Sequence, residues 1–224
     1  MQDILDKNMD KIPPIYKIRD STTNEEIDYN LLITCLQYYK SPRDVITRLL
    51  KRKDLIRIKK GIYIFGELYR RRLVSLEVLS NKIYGPSYVS REFALQYYGI
   101  IPEGVEEITC MTTKKNKIFN TVIGCFSYKH LSVEKFSIGV NLLQNSSFSA
   151  LIASPEKAII DFIYNRKDLY QDQSELLNML LNNYRFDEHQ LRKLNIKLLQ
   201  QIAKLYNYPT INLLPGVIMD LKNA

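Results

Sequence analysis

Seven residues in one short stretch are of the kinds that hold phosphate and read bases. Arg43, Thr47, Arg48 and Lys51 recur at helical spacing, and Arg57, Lys59 and Lys60 follow on a run that alternates apolar and basic residues. Guanidinium and ammonium groups neutralise phosphodiesters, whereas Arg and Thr on a helix in the major groove also reach base edges. Thr47 and Arg48 are therefore expected to face bases; Lys51, Lys59 and Lys60 to contact phosphate; and Arg43 to do either. Residues 40–72 carry twelve Lys and Arg against three acids, a net +9 in a chain whose total is +8. The basic character is thus local, as in an electrostatic footprint for nucleic acid. A solvated helix face beside an ordinary edge hairpin is the plainer alternative.

Glu156, Lys157 and Asp161 are the other group whose types could do chemistry, because carboxylates gathered around a divalent metal would make a nuclease. Their spacing argues against it. On a helix Lys157 and Asp161 share a face at i, i+4 while Glu156 points about 100° away, so an exposed ion pair is the simpler expectation. His130 and His189 stand in dissimilar surroundings, neither of them elbow-like, which gives a nucleophilic triad little support. Cys35, Cys110 and Cys125 contain no CxxC pair and suggest buried free thiols. Neither a P-loop nor a G-x-G-x-x-G string occurs. No metal, cofactor or catalytic activity is expected.

Positioning the basic residues falls to a helix and a hairpin. Ser41 suits an N-cap and Pro42 the first helical position, while Val45, Ile46, Leu49 and Leu50 form an inward face. Lys60-Gly61 supplies a tight turn between strands 55–59 and 62–65. The stripe Leu31, Leu32, Cys35, Leu36, Tyr39 predicts a helix packed beneath, joined by a turn of about three or four residues. Upstream, Ile4, Leu5, Met9 and Ile12 suit the inward face of a short helix that stops at Pro13-Pro14. Residues 15–19 then alternate like a strand, and 21–26 read as a polar connection.

Downstream, 67–82 reads as a helix with Leu73, Leu76, Leu79 and Ile83 on its seam. Tyr88-Val89 is extended, and Ser90 caps a helix over 91–98 that Gly99 ends in the αL conformation. Runs 108–113, 118–122, 125–130, 136–142 and 148–152 predict a sheet of about four or five strands. Ser154-Pro155 opens a helix with Ala158, Ile159, Phe162 and Ile163 inward, and the remainder is helical. The fold class expected is α+β. An N-terminal winged helix-turn-helix over 1–68 precedes a mixed α/β domain over 69–224, with a sheet at about 108–152. That domain has helices at 73–83, 90–98 and 155–164, and helices again in a tail at 174–222. The polar start lacks an apolar signal region, and no run reaches the roughly eighteen apolar residues of a membrane span, so a cytoplasmic protein is expected.

With the KGIY wing at 60–63, three strings of the second domain resemble the AbiEi family of antitoxins, from type IV toxin–antitoxin and phage-abortive-infection systems. They are IYGPSYVSREFALQYYGIIPE (83–103), TTKKNKIFNTVIGCFSYKHL (112–131) and ASPEKAIIDFIY (153–164). The resemblance covers roughly 31–170 by fold-level likeness, and residues 1–28 and the tail after Tyr170 depart from it. It implies a repressor that binds inverted repeats of double-stranded DNA in its own promoter. It also implies a nucleotidyltransferase-like toxin as functional partner, opposed without a stable complex. Tyr88, Ser90, Pro102, Glu156, Lys157 and Asp161 are the motif residues it singles out. Read without the resemblance, Pro102 shapes a turn, Tyr88, Phe93, Leu95 and Tyr97 are core, and the charged trio is a helix start with one exposed pair. A winged-helix regulator without a toxin, or a metal-dependent nuclease, are the alternatives.

Overall fold

The structure, a computed structural model, describes residues 12–144 and 149–223. The helix expected over 4–12 therefore lies almost wholly outside the described residues. The chain forms two compact units, one ending at Leu79 and the other running over Ser80–Gln144 and from Ser149 onward.

In the first unit, α1 (Pro14–Asp20), β1 (Glu26–Asp28), α2 (Tyr29–Cys35) and α3 (Pro42–Lys51) precede a hairpin of β2 (Leu55–Lys59) and β3 (Ile62–Phe65). The strands make an antiparallel sheet in the order β1-β3-β2, with Ile27 opposite Tyr63 and Arg57 opposite Tyr63 from the other side. Gly61, at φ +90, makes the hairpin turn. Val45, Ile46 and Leu49 of α3 join Ile15, Ile18, Ile27, Leu32 and Phe65 in one core.

Two expectations fail here. Residues 15–19 are helical because Pro14 starts a helix whose Ile15 and Ile18 meet the core at i, i+3; the alternation of Tyr16 and Ile18 with Lys17 and Arg19 is incidental. The polar stretch before Tyr29 contains β1, whose three residues are too few to show a period. The buried Arg19 holds the intervening loop, donating to Glu25 Oε2 at 2.8 Å and to the carbonyls of Thr22 and Asn24 at 2.9 Å. Its guanidinium also stacks over Phe65, 3.9 Å from the ring centroid. Gly66 closes the hairpin: its N–H donates to Asp54 O at 2.8 Å, and a Cβ there would meet Lys53 O at 1.9 Å.

The stretch after the hairpin departs from a continuous helix. A 3₁₀ turn at Glu67–Tyr69 gives way to irregular chain, and α4 starts only at Leu76 (Leu76–Ile83). Leu73 is 91% exposed and belongs to no seam. Backbone and side chain of this stretch are used elsewhere: Arg70 Nε donates to Phe65 O at 2.9 Å, and Arg71 N to Glu25 Oε1 at 3.2 Å.

The second unit is built on a mixed six-stranded sheet, one strand or two more than expected. Its strands are β4 (Ser87–Val89), β5 (Ile108–Thr112), β6 (Lys117–Thr121), β7 (Gly124–His130), β8 (Val140–Gln144) and β9 (Ser149–Ala153), in the order β6-β7-β5-β4-β9-β8. β4 runs parallel to β9 and β5 to β7; the other neighbours are antiparallel. Helix α5 (Arg91–Tyr97) follows β4, with Gly99 at φ +65 as its stop. The strand expected from residue 136 is instead a short helix α6 (Val133–Phe136) followed by β8. Helix α7 (Pro155–Arg166) is buried from Glu156 to Ile163. A helical layer follows: α8 (Gln173–Asn178) with a π-turn, α9 (Glu188–Arg192), α10 (Ile196–Tyr206) and α11 (Pro209–Asn223). Among the described residues no helix is long and apolar enough to cross a membrane. The mixed α+β class holds, and the cysteines are free thiols, of which Cys110 alone is fully buried.

Candidate nucleic-acid interface

α3 divides cleanly. Its inner side carries Val45, Ile46 and Leu49, and its outer side exposes Arg43, Thr47, Arg48 and Lys51. Ser41 does not cap the helix through its side chain; Ser41 Oγ donates to Asp44 Oδ2 at 2.6 Å. That contact turns the one acid of the helix toward its own N-terminus, where a carboxylate meets the positive end of the dipole. Thr47 Oγ1 donates to Arg43 O at 3.0 Å, leaving its oxygen as an acceptor on the exposed face. β2 packs beside α3 and brings Arg57, Lys59 and Lys60 into the same unit; Arg57 and Lys60 are exposed and Lys59 half-buried. Arg52 is occupied by an ion pair with the buried Asp54 at 3.0 Å. Among the described residues, Arg43, Arg48, Lys51, Arg57 and Lys60 pair with no carboxylate. Unneutralised cations beside a rigid helix face can meet a phosphate backbone on both sides of a groove.

The second group of candidates is arranged quite differently from the exposed pair its spacing suggested. Lys157 and Asp161 both have side chains that are 0% exposed, 3.5 Å apart. Asp161 Oδ2 accepts from Tyr88 OH at 2.8 Å and from Ser90 Oγ at 2.7 Å, and its Oδ1 accepts from Tyr206 OH. Lys157 Nζ donates to Lys135 O at 2.6 Å and to Tyr206 OH. Ser90 therefore spends its hydroxyl on Asp161 and makes no side-chain cap on α5. Glu156 is buried too, its Oε1 accepting from Asn195 N at 2.7 Å, and Ser154 Oγ caps α7 through Lys157 N at 3.2 Å.

Desolvation governs the protonation of this cluster. Burial pushes the Lys157 ammonium down, opposed by Asp161, and pushes the Tyr88 hydroxyl up, helped by the neighbouring carboxylate. Tyr206 is raised in the same way, first by burial and then by Asp161. With three hydrogen bonds and an ion pair on Asp161, the network ties β4, α5 and α10 to α7. Among the described residues no three His, Cys, Asp or Glu side chains gather as metal ligands. Of the remaining motif residues, Pro102 is exposed, Leu95 is core, and Tyr97 is 48% exposed and so not core. Tyr206, the partner that completes the cluster, had no signal in the sequence, being one of sixteen tyrosines and 45 residues from Asp161.

No protein-family model matches the chain, and no curated protein matches it. Among solved structures it is similar to the RV2827C protein from Mycobacterium tuberculosis, at 11% identity and a TM-score of 0.48, over 94% of this chain and 80% of that one.

Proposed function

We propose that the first unit is a winged helix-turn-helix that binds duplex DNA, and that the chain is a cytoplasmic, non-enzymatic antitoxin of the AbiEi kind. In this reading it represses its own operon at inverted repeats, and its second unit counters a nucleotidyltransferase-like toxin without a stable complex. The observation that carries the reading is the outer face of α3. Arg43, Thr47, Arg48 and Lys51 stand exposed beside a hairpin tipped by Lys60 and Gly61, with no carboxylate partner among the described residues. α3 is the recognition helix, β2 and β3 are the wing, and the three resemblant strings add the antitoxin assignment. Tyr88, Ser90, Glu156, Lys157 and Asp161 shape the antitoxin unit and do not touch a partner. A metal-dependent nuclease is disfavoured because both oxygens of Asp161 and one oxygen of Glu156 are already engaged in the interior.

The test uses one strain carrying the toxin gene on an inducible promoter and a reporter behind the native promoter. Lys59→Ala/Lys60→Ala should derepress the reporter and leave cells protected, since each lost phosphate contact weakens binding to all DNA without disturbing the second unit. Loss of protection by a folded, normally expressed double variant would refute the division of labour. Protection that never exists, with repression intact, would leave a regulator without a toxin.

A further inference from the structure

The second unit has a basic surface that neither the proposed DNA contact nor the buried network uses. Between Glu107 and Glu134 the chain carries four lysines and a histidine and not one carboxylate. Two hollows adjoin there and share Asn116 and His130. The first, about 710 Å³, is lined by Tyr84, Lys114 and Lys115; the second, about 510 Å³, by Lys129, Lys167, Tyr164 and Tyr208. No carboxylate lines either.

The turn that presents the lysines is held in place from below. His130 N donates to Asn116 Oδ1 at 2.7 Å, and His130 Nδ1 lies 3.1 Å from Lys114 O. A carbonyl only accepts, so Nδ1 carries the proton and Nε2 is left without a partner among the described residues. Lys114 N donates to Thr112 Oγ1 at 3.2 Å, and that hydroxyl donates to Pro86 O at 2.7 Å. Two of the lysines stand over an aromatic ring, and none of the four forms an ion pair among the described residues. Lys114 and Lys117 Nζ lie 5.3 and 5.7 Å from the Tyr84 ring centroid, and Tyr208 meets Tyr164 edge-on at 5.9 Å.

We infer that this surface binds nucleotide units. Phosphate is held by Lys114, Lys115 and Lys129, and an unpaired base lies against Tyr84 in one hollow or Tyr164 and Tyr208 in the other. Cations beside aromatic rings in a concave site suit a charged phosphate joined to a stackable base, and both hollows are of nucleotide size. A duplex keeps its bases stacked inside and has none to lay against Tyr84, Tyr164 or Tyr208, so it is not the ligand of this surface. The shared chemistry is that of a free nucleotide and of a single strand. The inference does not depend on the winged-helix reading, because every residue named belongs to the second unit.

The experiment measures anisotropy of fluorescein-labelled hexauridylate and of a short DNA duplex with the full-length protein. Lys114→Ala/Lys115→Ala should weaken hexauridylate binding at least tenfold and lower its log–log salt slope by about 1.4, at about 0.7 per phosphate contact on a single strand. Duplex binding should be unchanged. Tyr84→Leu should cost about fivefold or more with the salt slope retained. Melting temperatures establish that both variants are folded. As a second measurement, 4-thiouridine hexamer should cross-link to peptides containing Tyr84, His130 or Tyr164. Competition by millimolar uridine monophosphate assigns the site to free nucleotides, and its failure assigns it to strands. Equal losses on hexamer and duplex, an unaltered hexamer affinity in the folded lysine variant, or cross-links confined to residues 41–65 would overturn the inference.

Discussion

Asp161→Asn is the substitution that most directly probes the interior of the second unit. It keeps the shape of the side chain and one acceptor oxygen but removes the charge that faces Lys157. Lys157 and Asp161 are both fully inaccessible, so no water is at hand to take over from the lost carboxylate. Removing one partner of such a pair costs about 3–5 kcal/mol, against at most about 1 kcal/mol for an exposed i, i+4 pair. The direction of the pH dependence follows from Lys157, whose pKa burial already depresses in the wild type. Without Asp161 the depression deepens. A base with a depressed folded pKa binds fewer protons folded than unfolded, so stability rises with pH between the folded and the unfolded value. The deficit of the variant should therefore shrink as pH rises from 7 toward 10. Above that the raised pKa values of Tyr88 and Tyr206 act the other way, since unfolding then releases protons and stability falls. Urea unfolding followed by far-UV circular dichroism at pH 7 and pH 9.5 reads the first effect, and the same measurement at pH 11 reads the second. Lys157→Met/Asp161→Asn should recover much of the loss, because the uncompensated cation is gone. A cost below about 1 kcal/mol, or a deficit that does not change with pH, would show that the pair is solvated and the argument wrong.

Three further outcomes are expected. Gly66→Ala should unfold the first unit or cost at least about 3 kcal/mol, because the new Cβ would sit 1.9 Å from Lys53 O, a backbone atom that cannot step aside; thermal melting checks this. Arg19→Ala should cost about 3–5 kcal/mol in urea unfolding, since it leaves Glu25 charged and buried at 1% exposure. Arg48→Ala should leave the melting temperature alone and weaken operator binding by about 1–3 kcal/mol while relaxing preference at one base pair, and equal losses on operator and random DNA would move Arg48 to the phosphate class.

How far the sequence could be read depended on whether an element's reasons are local. α3 and the hairpin were legible because Pro42, the Val45-Ile46-Leu49 face and Gly61 each act on their own neighbourhood. α1 was not, because over so few residues Tyr16 and Ile18 fit the period of a strand as well as Ile15 and Ile18 fit that of a helix. The run from Glu67 shows the opposite fault: Leu73 continued a helical pattern, yet it stands exposed while Arg70 and Arg71 use their hydrogen bonds to tie the chain to Phe65 and Glu25. The buried cluster was the least legible part. The i, i+4 spacing of Lys157 and Asp161 was read correctly, but burial is decided by Tyr88, Ser90 and Tyr206, which lie 73, 71 and 45 residues from Asp161. No local pattern distinguishes a surface pair from one that distant hydroxyls enclose.

The claim that the first unit reads duplex DNA is tested most directly by the salt dependence of binding to DNA from the chain's own promoter. The wild type should bind that duplex more tightly than random DNA at 150 mM salt. Lys59→Ala/Lys60→Ala should lower the magnitude of its log–log slope by about 1.8, at about 0.9 per phosphate contact on a duplex. An identical slope for the folded double variant and the wild type, or equal affinity for promoter and random duplex, would contradict the account.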